Sequence, residues 1–234
     1  MSQDSAFSLS SNISFEEVLF RGQRGRFCVC FVDMADSTVV TSGLSDVQMG
    51  KYYSIFLNSL ATIATNFGSR IIKNAGDCLI CYFPDTSDPS NLLSLQNTLD
   101  CFMTMIDARK FMNSLLKSEG LPPVNSRISA DYGEVEIAQS VTSRNDDLFG
   151  STMNLCAKIN SKATLNGLAI GSNLFKALNM HQSLMQDYRF ENTGSYAIGG
   201  KENYSVYTAF SLKTRSTINP LKRTGAIRPP NNKD

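Results

Sequence analysis

Histidine is almost missing from this chain: its 234 residues include one, His181. It stands in a polar stretch with no partner histidine, which reads as a surface position. Net charge is nearly missing too. The 22 Lys and Arg residues against 21 Asp and Glu leave a formal +1, which argues against a polyanionic partner bound through global charge. Long apolar runs are absent. None approaches the ~20 residues that cross a bilayer, and Met1 to Asn12 is polar and Ser-rich, without the apolar core of a signal peptide. The expectation is a cytoplasmic protein with no membrane span.

What is present suits a folded enzyme-sized domain. Hydrophobic residues make up 42% and charged residues 18%, ample for a core. The length suits one domain with appendages, or two small ones. Six cysteines occur (Cys28, Cys30, Cys78, Cys81, Cys101, Cys156). Cys28, Cys30, Cys78 and Cys81 alternate with Val29, Phe31, Leu79 and Ile80 inside apolar strand patterns, where small thiols pack well. The Gly-rich or polar loop that usually carries a Cys-x-x-Cys zinc half-site is missing. They are read as reduced core thiols.

The chain is organised around Arg70 to Phe83, which reads as two short strands meeting at a tight turn. Ile71 and Ile72 lead in, Asn74-Ala75-Gly76 supply turn chemistry, and Leu79, Ile80, Tyr82 and Phe83 lead out. Lys73 and Asp77 flank the turn, and an apolar hairpin would fix where those two charges point. The bland alternative is an ordinary polar hairpin tip.

Residues 1–13 read as a flexible arm. Ser14-x-x-Glu17 has the spacing of a capping box and predicts a short helix through about Phe20. Arg21, Arg24 and Arg26 with Gly22 and Gly25 form a basic connector. Phe27 to Asp33 is a near-continuous apolar run that predicts a central strand ending in a carboxylate, a common place for a metal ligand. Ser45-x-x-Gln48 is a second capping box, and Met49, Tyr53, Phe56, Leu60, Ile63 and Phe67 recur at helical spacing up to Gly68. After the hairpin, Asp88-Pro89 opens another helix, with Leu92, Leu95, Leu99, Phe102, Ile106 and Met112 on one face, stopped by Gly120 to Pro123. Arg127 to Tyr132 and Glu134 to Ala138 read as two strands about Gly133. Strand, helix, strand, strand, helix, strand is the ferredoxin-like split βαβ order, an α+β fold with helices packed on one face of an antiparallel sheet.

Gly150 then precedes a helix on which Asn154 and Lys158, four apart, share a face. An amide and an ammonium together suit a nucleotide, one for ribose and one for phosphate. A solvated helix face is the simpler reading of any lone pair of this kind.

Three segments in order give the chain its resemblance: Phe31-Val-Asp33-Met-Ala-Asp-Ser-Thr38, Lys73-Asn-Ala-Gly-Asp77 and Asp147-Leu-Phe-Gly-Ser-Thr-Met-Asn154. Together they resemble the class III nucleotidyl cyclase catalytic domain, over about Phe27 to Leu212. The resemblance implies that Asp33 and Asp77 hold two divalent ions, Mg²⁺ or Mn²⁺, on a nucleoside triphosphate. It implies that Lys73 and Asp147 select adenine, that Asn154 orients the ribose, and that Lys158 stands where the family usually has a transition-state arginine. It also implies a head-to-tail homodimer whose sites lie at the interface, with metal residues from one protomer and base residues from the other.

The implied reaction is consistent with elementary chemistry. The ribose 3′-hydroxyl attacks the α-phosphorus of the same nucleotide and pyrophosphate leaves. Substrate phosphates complete the coordination of ions held by only two carboxylates. Adenine presents an acceptor at N1 and a donor at N6, which match donor-only lysine and acceptor-only aspartate. Guanine reverses both partners, and each mismatch costs about 1–3 kcal/mol.

Two positions depart from the family pattern. Lys158 keeps a charge but lacks the planar fork of arginine. In Ala197 to Tyr207, which resembles the closing phosphate-binding segment, Gly199 stands where a lysine is usual and Lys201 follows two residues later. Lys201 is the candidate substitute. The expected organisation is an arm with a short helix over 1–26, a catalytic domain over 27–212 and a mobile basic tail over 213–234. The expected function is an adenylate cyclase. The alternatives are a cyclase for GTP or a pyrimidine nucleotide, and a weak or silent nucleotide-binding dimerisation module. Diguanylate cyclases share the general fold, but their Gly-Gly-Asp/Glu-Glu-Phe motif is absent from the hairpin.

Overall fold

Strand β1 (Val18–Met34) is the spine of the molecule. The computed structural model describes residues 18–140, 146–198 and 202–213. Along β1 the side chains alternate as a strand requires. Cys28, Cys30, Val32 and Met34 enter one core, while Val29 and Phe31 pack into a second core on the opposite face. All six cysteines are free thiols.

From β1 the chain runs through the short helix α1 (Ser37–Thr41) into α2 (Asp46–Asn66). The Ser45–Gln48 capping box forms as its spacing predicts, satisfying two helix-end donors at once. Strands β2 (Arg70–Ala75) and β3 (Cys78–Phe83) make the hairpin. Helix α3 (Leu92–Ser118) follows. It begins later than Asp88-Pro89 suggests, because Asp88 Oδ1 is used in a local turn by the Ser90 amide at 2.9 Å and hydroxyl at 2.7 Å. Asn91 is the cap instead, its Oδ1 accepting the Ser94 amide at 3.2 Å.

Then come β4 (Ser126–Ser140), β5 (Asp146–Phe149), α4 (Ser151–Asn160), β6 (Leu168–Gly171), α5 (Ser172–Asn179), α6 (Gln182–Asp187), β7 (Tyr188–Ile198) and β8 (Glu202–Ser211). The sheet order is β2-β3-β1-β4-β6-β8-β7, with β5 on β4. Taking β1, α2, β2, β3, α3 and β4 alone, this is the ferredoxin-like core, and the C-terminal elements extend it. The α+β architecture thus follows the sequence pattern, with two refinements. The β4–β6 pair is parallel. Helices also cover both faces: α2, α3 and α5 pack on the larger core, whereas α4 packs on the opposite face through Cys156 and Ile159.

Three local expectations are corrected. The helix expected through Phe20 is strand from Val18 onward, since Val18 to Phe20 pair with Ser140 to Ala138 of β4. A single turn of helix is costly to nucleate, and a long partner strand outcompetes it. Residues 18–26 therefore belong to the sheet, and 1–17 lie outside the described residues. The two strands about Gly133 are one continuous β4. That glycine makes room and not a turn: a Cβ there would lie 2.6 Å from Thr152 Oγ1 on α4. His181 is half-buried, its Nε2 2.9 Å from the Pro89 carbonyl.

Asp131, in the middle of β4, is fully buried. Its Oδ1 accepts the amides of Tyr132 at 2.9 Å and Leu174 at 3.2 Å, and its Oδ2 accepts the Tyr204 hydroxyl at 2.5 Å. It caps α5 from a distance, because the helix's own N-cap is Gly171 and lacks a side chain. Burial pushes its carboxyl up to about 6, outweighing those hydrogen bonds. A carboxyl raised above its unfolded value stabilises the fold fully below the unfolded pKa, and that stabilisation is lost as pH rises through about 6. Asp131→Asn keeps the shape without the charge. Its stability relative to wild type is expected to improve by about 2–3 kcal/mol between pH 4 and pH 7. Urea titrations across that range are the check, and a difference that stays constant would disprove the assignment.

Candidate active site

Asp33 lies opposite two residues at once, Cys78 on β3 and Arg127 on β4. Directly opposed residues share a face, so Asp33, Cys78 and Arg127 line up across three strands on the α4 side of the sheet. Asp77 occupies the two-residue turn between β2 and β3, beside left-handed Gly76 at φ 64°. The hairpin thus brings Asp77 next to Asp33. Burial and the Asp77 charge push the Asp33 carboxyl up, while Arg127 opposes them.

Two neighbouring carboxylates, one of them raised by burial and by the other's charge, favour a bound cation. Burial and then the two aspartates push the Cys78 thiol up to about 12, so it is protonated in the cation-free protein. The two aspartates offer hard carboxylate oxygens, which fit Mg²⁺ or Mn²⁺. Among the described residues no group of three or more His, Cys, Asp and Glu is placed to hold a metal. The remaining ligands would be substrate phosphate and water. Nothing in the local sequence marks Arg127, because its place beside Asp33 depends on a strand register that no local pattern encodes.

Lys73 owes its direction to a bulge. Ile71 pairs with Cys81, but Lys73 pairs with Ile80, so Ile72 is an extra residue in β2. Without it Lys73 would oppose Leu79 and face the larger core. With it Lys73 shares the face of Ile80 and Ile72, which pack in the second core. The sheet also curls, so that β2 reaches β5 although β3, β1 and β4 intervene. Lys73 Nζ then meets Asp147 Oδ2 at 2.7 Å. The Leu148 amide donates to the other oxygen, Oδ1, at 2.9 Å. The side chains are 47% and 33% exposed, so the pair adds little to stability. Its consequence is positional: a donor and an acceptor stand side by side at the surface.

Asp147 leads through Gly150 into α4. Gly150 has φ 138°, and a Cβ there would lie 2.9 Å from the Glu134 carbonyl. Thr152 donates to that carbonyl at 2.8 Å. Thr152, Cys156 and Ile159 form the buried face of the helix, and Asn160 Nδ2 donates to the Arg127 carbonyl and to Ser129 Oγ, each at 3.3 Å. This roll leaves Asn154 and Lys158 together on the exposed side. The site residues expected from sequence thus fall into three groups: Asp33 with Asp77, Lys73 with Asp147, and Asn154 with Lys158. Gly199 and Lys201 lie outside the described residues.

Comparison with known proteins gives this arrangement a class. The family model described as the adenylate and guanylate cyclase catalytic domain matches residues 21–211. The chain belongs to that family: it carries a class III nucleotidyl cyclase catalytic domain. Among solved structures, it is similar to the adenylyl cyclase CyaB from P. aeruginosa, at 18% identity and a TM-score of 0.71, covering 84% of this chain and 98% of that one. It is similar to the guanylyl cyclase Cya2 at 21% identity and a TM-score of 0.70, covering 80% and 93%. It is also similar to the catalytic core of a rhodopsin-guanylyl cyclase with converted specificity in complex with ATPαS, at 16% identity and a TM-score of 0.65, covering 81% and 97%. At these identities the likeness is one of fold. No curated protein matches the chain in sequence. No helix among the described residues is long and apolar enough to cross a membrane.

Proposed function

We propose that this cyclase domain uses ATP, forming 3′,5′-cyclic AMP and pyrophosphate as a homodimer in the cytoplasm. The observation that carries the reading is the Lys73–Asp147 pair at 2.7 Å. A donor-only and an acceptor-only group side by side complement adenine N1 and N6 respectively and oppose guanine N1–H and O6. Asp33 and Asp77 would hold divalent cations, Mg²⁺ or Mn²⁺. When bound there, such ions acidify the 3′-hydroxyl and neutralise the leaving pyrophosphate. Asn154 orients the ribose through its amide. Lys158 offers its charge to the reacting phosphate without the bidentate geometry of arginine. Arg127, opposite Asp33, adds a fixed positive charge on the phosphate side, and Lys201 is a further phosphate contact.

The test is incubation with ATP, GTP, CTP and UTP plus Mn²⁺, with identification of the products. Cyclic AMP is expected to dominate. A dominant cyclic GMP or pyrimidine product would overturn the base assignment, and no cyclic product at all would favour a silent module. Lys73→Glu with Asp147→Cys places an acceptor where guanine N1–H would lie and a thiol that tolerates O6. The ATP over GTP ratio of kcat/KM is expected to fall at least about tenfold, from a mismatch of about 1–3 kcal/mol per group. An unchanged ratio would show that these residues do not read the base.

A further inference from the structure

We infer that Tyr196 is a positioning residue for Lys158, tying the helix that carries it to the β7–β8 hairpin; the inference rests on the role proposed above for Lys158. The last turn of α4 does not close as an α-helix. The amides of Ser161, Lys162 and Ala163 reach back only three residues, to Lys158 at 3.3 Å, Ile159 at 2.9 Å and Asn160 at 3.0 Å. That tightening gives the Lys162 amide to Ile159, so the Lys158 carbonyl loses its usual helical partner.

Besides the Ser161 amide and hydroxyl, Tyr196 of β7 supplies that carbonyl with a donor from outside the helix. Its hydroxyl donates to the Lys158 carbonyl in a short hydrogen bond. Ser161 Oγ stands 2.8 Å from the same carbonyl and 2.8 Å from the tyrosine oxygen. Lys162 Nζ lies 5.5 Å from the centroid of the Tyr196 ring. The ring packs against the small cluster of Ile159, Ala163, Ala169 and Val206, so Tyr196 combines apolar packing with its hydrogen bond to α4.

The hairpin that carries Tyr196 is itself fastened. Tyr204 is its cross-strand partner. The Tyr204 hydroxyl donates to buried Asp131 at 2.5 Å and accepts the Asn173 amide of α5 at 3.0 Å. One tyrosine thus fixes the hairpin to the central strand, and its neighbour fixes the end of α4 to the hairpin. The start of α4 is held by Thr152 and its last residue by Asn160, which leaves the carbonyl of Lys158, two residues earlier, to be held from the β7 side. The Tyr196 contact sets the backbone at Lys158 itself. A displacement of about 1 Å in a reacting group costs up to about a hundredfold in rate.

Tyr196→Phe removes one oxygen and keeps the ring. Its kcat is expected to fall about fivefold or more, with KM for the nucleotide within about twofold and the melting temperature close to wild type. The effect is then measured in a Lys158→Ala background with radiolabelled nucleotide. There Tyr196→Phe is expected to change kcat by less than about twofold, because the charge that it positions is gone. An equal fall in both backgrounds, or no fall in kcat in the wild-type background, overturns the inference. A fall in kcat for Lys158→Ala with none for Tyr196→Phe overturns the positioning role alone. Wild-type kcat in Lys158→Ala overturns the role of Lys158 and the Tyr196 role with it. If Lys158→Ala falls below detection, the split decides: a rise in KM at constant kcat overturns the inference.

Discussion

Alanine at Asp33 or at Asp77 is expected to lower turnover by at least about a hundredfold while leaving the protein folded. The two carboxylates come from different elements, the end of β1 and the turn after β2, and meet on one face. Their proximity is unfavourable in the cation-free protein, where burial and Asp77 both resist ionisation of Asp33. Removing either carboxylate relieves that repulsion, so neither variant is expected to melt below wild type. Wild type is expected to gain several degrees of melting temperature from Mn²⁺ with nucleotide, through binding to the folded state alone. Each variant is expected to gain little. Turnover and thermal melting on the same samples make the check. A folded variant that keeps more than about a tenth of wild-type turnover would remove these residues as holders of the ions.

A mixture of two dead variants is expected to recover about a quarter of wild-type activity under a symmetric-dimer model. Lys73 and Asp77 are four residues apart, yet under the proposed dimer they serve opposite sites. Lys73 turns to Asp147 of its own chain, whereas Asp77 turns to Asp33. One hairpin can serve two sites only if protomers pair about a two-fold axis. Asp33→Ala removes the cation half that a protomer donates, and Asn154→Ala removes the ribose half. In a mixed dimer one site holds both lesions and the other holds neither. With equal amounts and free exchange, about half the dimers are mixed and each has one live site of two. Light scattering on the same mixture reports dimers and exchange. If exchange is shown and activity stays at the level of the single variants, Asp33 and Asn154 do not act across an interface.

The two experiments bear on different parts of the reading. Loss of turnover at Asp33 and Asp77 concerns the chemistry of one site. Recovery in the mixture concerns how sites are assembled, and it is independent of which base is bound. The Lys73 and Asp147 exchange then addresses the base alone.

Much of this protein was legible in local sequence because the governing physics is local. Helical spacing and a Ser-Gln capping box determine α2, since both act within a few residues. The apolar run ending in Asp33 determines a buried strand with a carboxylate near its end. Strand and helix order determines the ferredoxin-like core, because connections are short and handed. The three motif segments place the chain in its family. What only the tertiary structure decided depends on partners far apart in the chain. Val18 is strand because Ser140 pairs with it, 122 residues away by subtraction of the two numbers. Gly133 reads locally as a turn but admits Thr152 of a later helix. Arg127 joins the aspartates through register alone. Above all, one extra residue at Ile72 turns Lys73 from the larger core toward Asp147. A strand's faces alternate with a period of two, so a single inserted residue reverses which side a charge serves, and no local pattern around Lys73 records it.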